Sequence, residues 1–575
     1  ARSLRSVQAV RGKEVLGLAF DVQGDFLWVV GRNWLGRLEG EELVTVTPDL
    51  DLRPGLQPPD LVVAPDGEGG VFLGDHSKVL VHKPGLAVER LGVENGLVSR
   101  GIHALYRDRE GILWVGTSRG VTKVVSLRFA SYRQVHGLLA DEVTAVLERR
   151  SGEFVLGNEG GLSFMEEDRI RTLQFSVSDS PVRVLDLAED RNGTLWVVAD
   201  HGGLAQITGR NRVVWRSDLP GLARAVLADR GGRLWLASST GLYLLRSRGF
   251  GPGELPASLD EGDIQGLYEG PGGALFVATS ASGLHRFENE QWRSWERSQE
   301  RGARNVFAGL EEPDGKIWAG TAAGLCVAEE GELKTVATGP RVVRPVYFLT
   351  RDRAGRLWIG TDNGVMRWNG ESLRHFTVSD GLVGRASHQG AGLVDARNRV
   401  WIGTESGVSI YRPQWDPPRL IPPAVALDTL DAAGQQFALD RAVELAHGQN
   451  TILFRFQAIS FTDETQVLVK SWLEGFEEDW LAPYEAPRRE RRYTNLPSGE
   501  YRFHVQAASV DGAWSDVVSS APIVIRGPLW TQAWFIALGV VFLAAGAYAL
   551  QRYYTRGRYA RRLEAEVEAK VGALR

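Results

Sequence analysis

The stretch Asp108-Arg-Glu-Gly111-Ile-Leu-Trp114-Val-Gly116-Thr117 decides the fold, because it returns as Asp352-Arg-Ala-Gly355-Arg-Leu-Trp358-Ile-Gly360-Thr361. Five further copies are centred on a tryptophan, and three degenerate copies have Phe72, Val155 or Phe276 in its place. The ten anchor positions are 28, 72, 114, 155, 196, 235, 276, 318, 358 and 401, and neighbouring anchors lie 39 to 44 residues apart. An internal period of this length indicates a repeat architecture.

Each copy is predicted to form four short strands. In the third copy these are His103–Arg107, Ile112–Thr117, Val121–Val124 and Phe129–Arg133, with a turn at residues 108–111. Four strands about every 40 residues, with Gly and Trp at fixed offsets, are typical of a β-propeller blade. Helical repeats of similar period are excluded, since the units are rich in Val, Trp, Thr and Gly and lack an apolar stripe of helical spacing.

Ten blades exceed the usual four to eight of a single ring. We therefore expect the last seven copies, residues 133–412, to close a seven-bladed propeller. The first three copies, residues 1–132, would be part of a second, incomplete propeller. A single ten-bladed ring is the alternative.

Three short motifs carry a family resemblance. Glu94-Asn-Gly-Leu97 and Asp380-Gly-Leu382 each precede a Trp-x-Gly-Thr unit, and His136-Gly-Leu138 is a weaker copy. In this combination the repeats resemble the two-component regulator propeller repeat. The resemblance covers about 410 residues and implies a sensor protein.

A second domain follows the repeats. Five prolines mark a linker over residues 413–423, namely Pro413, Pro417, Pro418, Pro422 and Pro423. Over residues 424–527, apolar and polar residues alternate in runs typical of an immunoglobulin-like β-sandwich, as in Ile452–Gln457 and Tyr501–Ala507.

This segment closely resembles the Y_Y_Y domain, which follows such propellers in membrane sensor histidine kinases, including hybrid ones. The resemblance lies in Ser460-Phe-Thr-Asp463, Leu473–Trp480, Tyr493–Pro497 and Gly499-Glu-Tyr501. Lys470-Ser-Trp472 departs from the family, which usually has a tyrosine-bearing strand there.

Residues 529–551 are predicted to form one transmembrane helix. Residues 533–550 carry no charge, and the 22 helical residues 529–550 are long enough to cross a hydrocarbon core of about 30 Å. Trp530, Trp534, Tyr553 and Tyr554 stand at its ends, as interfacial aromatics do. The following segment has five arginines, whereas Arg526 is the one basic residue among the twenty before Leu529. The positive-inside rule therefore places the C-terminus in the cytoplasm.

Residues 552–575 are interpreted as a cytoplasmic juxtamembrane helix. Ala560, Val567 and Leu574 have a-type heptad spacing, and Leu563 and Lys570 have d-type spacing. Two heptads fit the start of a dimeric coiled coil, and a solvated helix is the open alternative.

Motifs for catalysis, metals and cofactors are absent from the sequence, so no catalytic, metal or cofactor-binding residue and no cofactor is predicted. Acids such as Asp108, Asp190, Asp229, Asp352 and Asp395 occupy the repeated turn, where a structural role suffices. His201, His375 and His388 interrupt the repeat and are candidates for ligand contacts, but a surface-loop position is the preferred interpretation of each. Ligand-binding residues are left unassigned. The one cysteine, Cys326, is expected to be a buried thiol.

The resemblances imply the extracytoplasmic sensor region of a single-pass protein of the bacterial inner membrane, with its bulk in the periplasm. It would bind an extracellular ligand of unknown identity, for which a carbohydrate is one candidate. As a homodimer, it would control a cytoplasmic histidine kinase beyond Arg575 and, through it, a response regulator. The net charge of −5 gives no reason to expect nucleic-acid binding. The alternatives are a diguanylate cyclase sensor, a membrane-anchored propeller lyase or hydrolase, and an adhesion scaffold.

Overall fold

The structure is a computed structural model. It describes residues 13–57, 60–167, 169–177, 180–209, 211–246, 249–252, 264–336, 342–416, 421–462, 467–485, 489–509, 513–528, 530 and 533–573. The residues discussed above that lie outside these ranges are Pro417, Pro418, Asp463, Leu529, Leu574 and Arg575. The chain divides into two compact units, residues 1–421 and 422–575, and each is described by itself.

Between residues 143 and 376, six repeats form four-stranded antiparallel sheets whose strands lie side by side in chain order. We number them ring sheets 1 to 6. Their strands are Val143–Glu148, Phe154–Asn158, Gly161–Glu166 and Arg169–Gln174; Val184–Glu189, Leu195–Ala199, Leu204–Thr208 and Arg212–Trp215; Ala223–Ala228, Leu234–Ser238, Gly241–Arg246 and Gly249–Pro252; Ile264–Glu269, Leu275–Thr279, Leu284–Glu288 and Gln291–Trp295; Val306–Glu311, Ile317–Thr321, Gly324–Glu329 and Glu332–Thr335; and Val346–Arg351, Leu357–Thr361, Gly364–Trp368 and Leu373–Phe376.

Ring sheet 7 is built from two distant parts of the chain. Ser387–Val394, Val400–Thr404 and Gly407–Tyr411 supply three strands, and Phe129–Tyr132 pairs antiparallel with Gly407–Tyr411 as the fourth. The first strands of all seven sheets pack side by side around a channel, and that of sheet 7 lies next to that of sheet 1. These sheets therefore form a closed seven-bladed ring, and the predicted all-β propeller fold is confirmed.

The prediction that Phe129–Arg133 is the fourth strand of the third copy is wrong. Phe129 packs against the rings of Phe376 and Tyr411 at centroid distances of 5.4 and 5.7 Å, inside the ring. Burial of this aromatic residue at the closing seam favours strand exchange over pairing within its own copy. The ring thus begins at Phe129 and not at residue 133.

Three further sheets, N-terminal sheets 1 to 3, precede the ring. Their strands are Val15–Asp21, Phe26–Gly31, Leu35–Glu39 and Glu42–Thr47; Val62–Pro65, Val71–Gly74, Val79–His82 and Glu89–Leu91; and Ile102–Arg107, Leu113–Thr117 and Gly120–Val124. Trp415, in a short 3₁₀ turn after the ring, is buried against side chains of the second and third of these sheets.

The repeated aspartate has one structural role in both groups of sheets. In four ring sheets the tryptophan indole N–H donates to the aspartate six residues upstream, at 2.9 to 3.0 Å. In N-terminal sheet 3, Trp114 donates to Asp108 at 2.8 Å. The same carboxylates accept backbone N–H groups of their own turn. The structural interpretation of these acids is therefore confirmed.

Residues 424–525 form a sandwich of two sheets around one apolar core. One sheet contains Ala424–Ala432, Gln435–Ala438, Ile452–Ile459 and Glu490–Tyr493; the other contains Val443–Leu445, Leu468–Glu474, Tyr484–Glu485, Gly499–Ala508, Val518–Ser519 and Ile523–Ile525. The Tyr501 hydroxyl donates to the Pro497 carbonyl at 2.7 Å, as in the tyrosine corner of immunoglobulin-like domains.

One helix, Ala533–Gly572, follows the sandwich without interruption for 40 residues. It is the one described helix long and apolar enough to cross a membrane, and none of its apolar segment is buried. The predicted span and the predicted juxtamembrane helix are therefore a single element.

Candidate functional site

The side chains that line the channel of the ring come from a β-bulge that recurs in successive ring sheets. In ring sheets 1 to 6 the first strand has a one-residue bulge directly after its first residue. A β-bulge redirects a side chain and is common beside functional sites. The six bulged residues are Thr144, Leu185, Arg224, Gln265, Phe307 and Tyr347. All six line one cavity of about 710 Å³, which we call the channel cavity.

Ring sheet 7 breaks this pattern. Between Ser387, which pairs with Thr404, and Gly392, which pairs with Ile402, its first strand has four residues opposite one. Gln389, in this enlarged bulge, reaches across the channel, and its amide N–H₂ lies 2.8 Å from the Phe307 carbonyl and 3.2 Å from the Tyr268 hydroxyl. The seventh sheet is thereby linked to the opposite side of the ring.

Asp186 lies beside this bridge. In the other ring sheets the position directly after the bulge is held by Ala145, Ala225, Gly266, Ala308 or Phe348, so a carboxyl group here is unusual. Its oxygens accept the backbone N–H groups of Leu187 and Val226, each at 2.9 Å. Burial, opposed by these two hydrogen bonds, raises the pKa of Asp186 to about 7.

A cluster of ionisable side chains lies at the cavity wall. Arg183 donates to both carboxylate oxygens of Glu142 at 2.9 and 2.6 Å. His388 Nε2 lies 3.3 Å from the same carboxylate, and burial lowers the pKa of His388. The imidazole is therefore mainly neutral near pH 7. Arg183 is compensated by Glu142.

Two residues of the cavity lining have side chains without a partner among the described residues. The guanidinium of Arg224 has no salt bridge or hydrogen bond there, and Arg224 is an exposed residue. Ser387 is 4% exposed, and its hydroxyl oxygen lacks a hydrogen-bond partner. A cavity of this size with a few polar groups among apolar and aromatic side chains is typical of small-molecule sites.

The three repeat-breaking histidines have different positions. His388 lines the channel cavity and is not on a surface loop. His201 lies on an exposed turn with a left-handed φ of 62°. His375 lies on the last strand of ring sheet 6, and its Nε2 contacts the Asn363 carbonyl at 2.5 Å. Only His388 could contact a ligand in the cavity.

Arg224, Ser387 and Asp186 were not singled out from the sequence. A detectable signal existed, since aligning the copies on their tryptophans puts Asp186 in a column otherwise filled mostly by Ala or Gly. Cys326 is buried as expected, and burial raises the pKa of its thiol. Among the described residues, no three His, Cys, Asp or Glu side chains are grouped so as to hold a metal ion.

Family models match both parts of the chain. The two component regulator propeller model matches residues 96–119 and 343–363, and the Y_Y_Y domain model matches residues 450–526. The chain carries regulator propeller repeats and a Y_Y_Y domain. Both predicted resemblances are thus confirmed. Among curated proteins, a search with this sequence found no match.

Three solved structures are similar to this chain to different degrees, and the first of them shares its fold. The extracellular domain of a proposed hybrid two component system of B. thetaiotaomicron is similar, with a TM-score of 0.64 and 17% identity, over 89% of this chain and 73% of that one. A second such domain from the same organism gives a TM-score of 0.43 and 15% identity, over 92% and 76% of the two chains. Virginiamycin B lyase of Staphylococcus aureus gives 0.40 and 13%, over 49% and 98%.

Proposed function

We propose that this chain is the extracytoplasmic sensing region of a transmembrane signalling protein. The regulator propeller would bind an extracellular ligand in the channel cavity, and the Y_Y_Y domain and helix would relay its binding to a cytoplasmic histidine kinase. The similarity in fold to the extracellular domain of a proposed hybrid two component system supports this function.

One observation carries the proposal. The 40-residue helix begins shortly after the last strand of the Y_Y_Y domain and combines an uncharged apolar first half with an arginine-rich second half. At about 1.5 Å per residue it is roughly 60 Å long, about twice the hydrocarbon thickness. A single helix of this kind can connect a domain outside the membrane with the cytoplasm.

Orientation can be tested by cysteine labelling, because the one native cysteine is buried. Arg169→Cys on an exposed ring position and Glu568→Cys on the helix are made in a Cys326→Ala chain. In spheroplasts, a membrane-impermeant maleimide should label the first variant at once and the second only after lysis. Labelling of Glu568→Cys in intact spheroplasts would overturn the proposed orientation.

The output is tested with membranes containing the natural full-length protein. A histidine kinase incorporates phosphate from ATP into an acid-labile, alkali-stable phosphohistidine. A diguanylate cyclase instead converts GTP into cyclic di-GMP. Acid-labile phosphorylation would support a histidine kinase. Formation of cyclic di-GMP with no acid-labile phosphorylation would show that the output is a diguanylate cyclase instead.

A further inference from the structure

The charges that face the channel cavity are unbalanced. Two arginines line it, and Arg183 is neutralised by its bidentate pairing with Glu142. Arg224 has no carboxylate partner among the described residues and is an exposed residue of the cavity lining. A free guanidinium matches the planar, two-oxygen geometry of a carboxylate.

Asp186 is the one carboxyl group among the residues that line the cavity. Its oxygens are already engaged by the backbone N–H groups of Leu187 and Val226. Burial raises its pKa to about 7, so that it is largely uncharged in mildly acidic solution. The positive charge of Arg224 is then unopposed within the cavity.

The remaining lining offers matching contacts for a small molecule. The rings of Phe307 and Tyr347 lie 5.2 Å apart at an angle of 49° and present apolar faces from neighbouring bulges. Both rings line the channel cavity and can contact the apolar portion of a ligand.

We propose that the channel cavity binds a small organic carboxylate, whose acidic group pairs with Arg224 and whose apolar or ring portion contacts Phe307 and Tyr347. This inference rests on the proposed function in taking the cavity as the sensory site, and it excludes an uncharged ligand as the preferred occupant.

The test uses calorimetric titration of the full chain in detergent with pairs of probes in which a carboxylate is replaced by the neutral amide. Benzoate is compared with benzamide, glucuronate with glucuronamide, and succinate with succinamide. At least one carboxylate should bind about tenfold or more tightly than its neutral counterpart, the effect expected of one charge-assisted hydrogen-bonded pair. If no carboxylate is preferred over its counterpart, the inference is wrong.

Two variants locate the site. Arg224→Gln should remove the preference for the carboxylate, whereas Arg212→Gln, an exposed arginine on the outer strand of ring sheet 2, should retain it. Unchanged preference in Arg224→Gln would place the anion elsewhere and overturn the assignment. Identical far-ultraviolet spectra of the two variants exclude misfolding as the cause.

The affinity should also fall as pH rises through about 7, since the ionising Asp186 opposes a bound anion. The other charged or titratable groups around Asp186 are Arg183, Arg224, Glu142, Tyr268 and His388. Asp186→Asn should bind the carboxylate with an affinity independent of pH over this range, while His388→Gln should keep the dependence. These measurements do not depend on membrane orientation or on the kinase, so a failure here is distinct from failure of the proposed function.

Discussion

N-terminal sheet 1 and ring sheet 2 are built from the same repeat, but equivalent side chains of the two sheets are buried to different extents. Leu18 pairs with Val29 beside the anchor Trp28, and Leu187 pairs with Val197 beside the anchor Trp196, so the two leucines are equivalent. Leu18 is 57% exposed, whereas Leu187 is 8% exposed because it packs against ring sheet 1.

This difference shows that the repeat alone does not determine burial. A blade has two apolar faces, and it can cover neither of them by itself. In the ring every sheet has two neighbours because Phe129–Tyr132 completes the seventh sheet. N-terminal sheet 1 has a neighbour on one side only within the described part of the chain. Closure therefore determines which copies have complete cores.

The largest effect is expected from removing the closing strand. A fragment of residues 128–416 should unfold cooperatively, whereas residues 134–416 should fail to fold or should lose most of their stability. Loss of Phe129 alone removes a buried aromatic side chain worth about 3–5 kcal/mol, and the exposed edge of sheet 7 would also favour aggregation. Thermal unfolding followed by circular dichroism compares the two fragments, and equal transition temperatures would contradict closure by this strand.

The next largest effect distinguishes the two leucines. Leu187→Ser should lower the free energy of unfolding by about 2–4 kcal/mol, because it leaves a polar group and a void between two ring sheets. Leu18→Ser should change it by less than about 0.5 kcal/mol if the surface is free. Urea denaturation of the full chain measures both. A large loss for Leu18→Ser would contradict a free surface at this position.

A smaller effect is expected at the aspartate of the repeated turn. Asp352→Ala leaves the fully buried indole N–H of Trp358 without an acceptor, which should cost about 1–3 kcal/mol. Asp108→Ala should cost less, because Trp114 is partly exposed and water can replace the carboxylate. Urea denaturation monitored by tryptophan fluorescence compares the two variants, and an equal loss would mean that the sheets bury their indoles equally well.

The smallest effect concerns the position after the bulge, which is Gly17 in N-terminal sheet 1 and Asp186 in ring sheet 2. Because folding raises the pKa of Asp186 to about 7, its contribution to stability is complete below about pH 4 and is lost as pH rises to about 7. In Asp186→Asn, the free energy of unfolding should change by about 1 kcal/mol less between about pH 4 and pH 7. This is smaller than the full value of about 1.4 kcal/mol per pKa unit, because the Asp186 side chain retains some accessible surface. Gly17→Ala introduces no titrating group and should leave the pH dependence unchanged, while its Cβ, at 2.8 Å from Val63 Cγ2, should lower stability at every pH. An unchanged slope in Asp186→Asn would contradict the raised pKa.

Most of the fold could be predicted from the sequence because the tryptophan-anchored strand is a local signal. The exchange of Phe129–Tyr132 could not, since strand composition does not reveal which edge a strand pairs with. The channel cavity was also missed. Its side chains, including Arg224 and Gln389, are brought together by bulges, and a bulge depends on pairing that is absent from the linear sequence.

The continuous helix Ala533–Gly572 has a consequence for spacing. An α-helix turns by about 100° per residue, so one alanine inserted after Tyr554 would rotate everything beyond it by about 100° relative to the membrane segment. Seven inserted residues would complete nearly two turns and restore the original facing to within about 20°. If the helix transmits its orientation, output in an insertion series should rise and fall with a period of about 3.6 residues. A steady decline with length would instead indicate that distance alone matters.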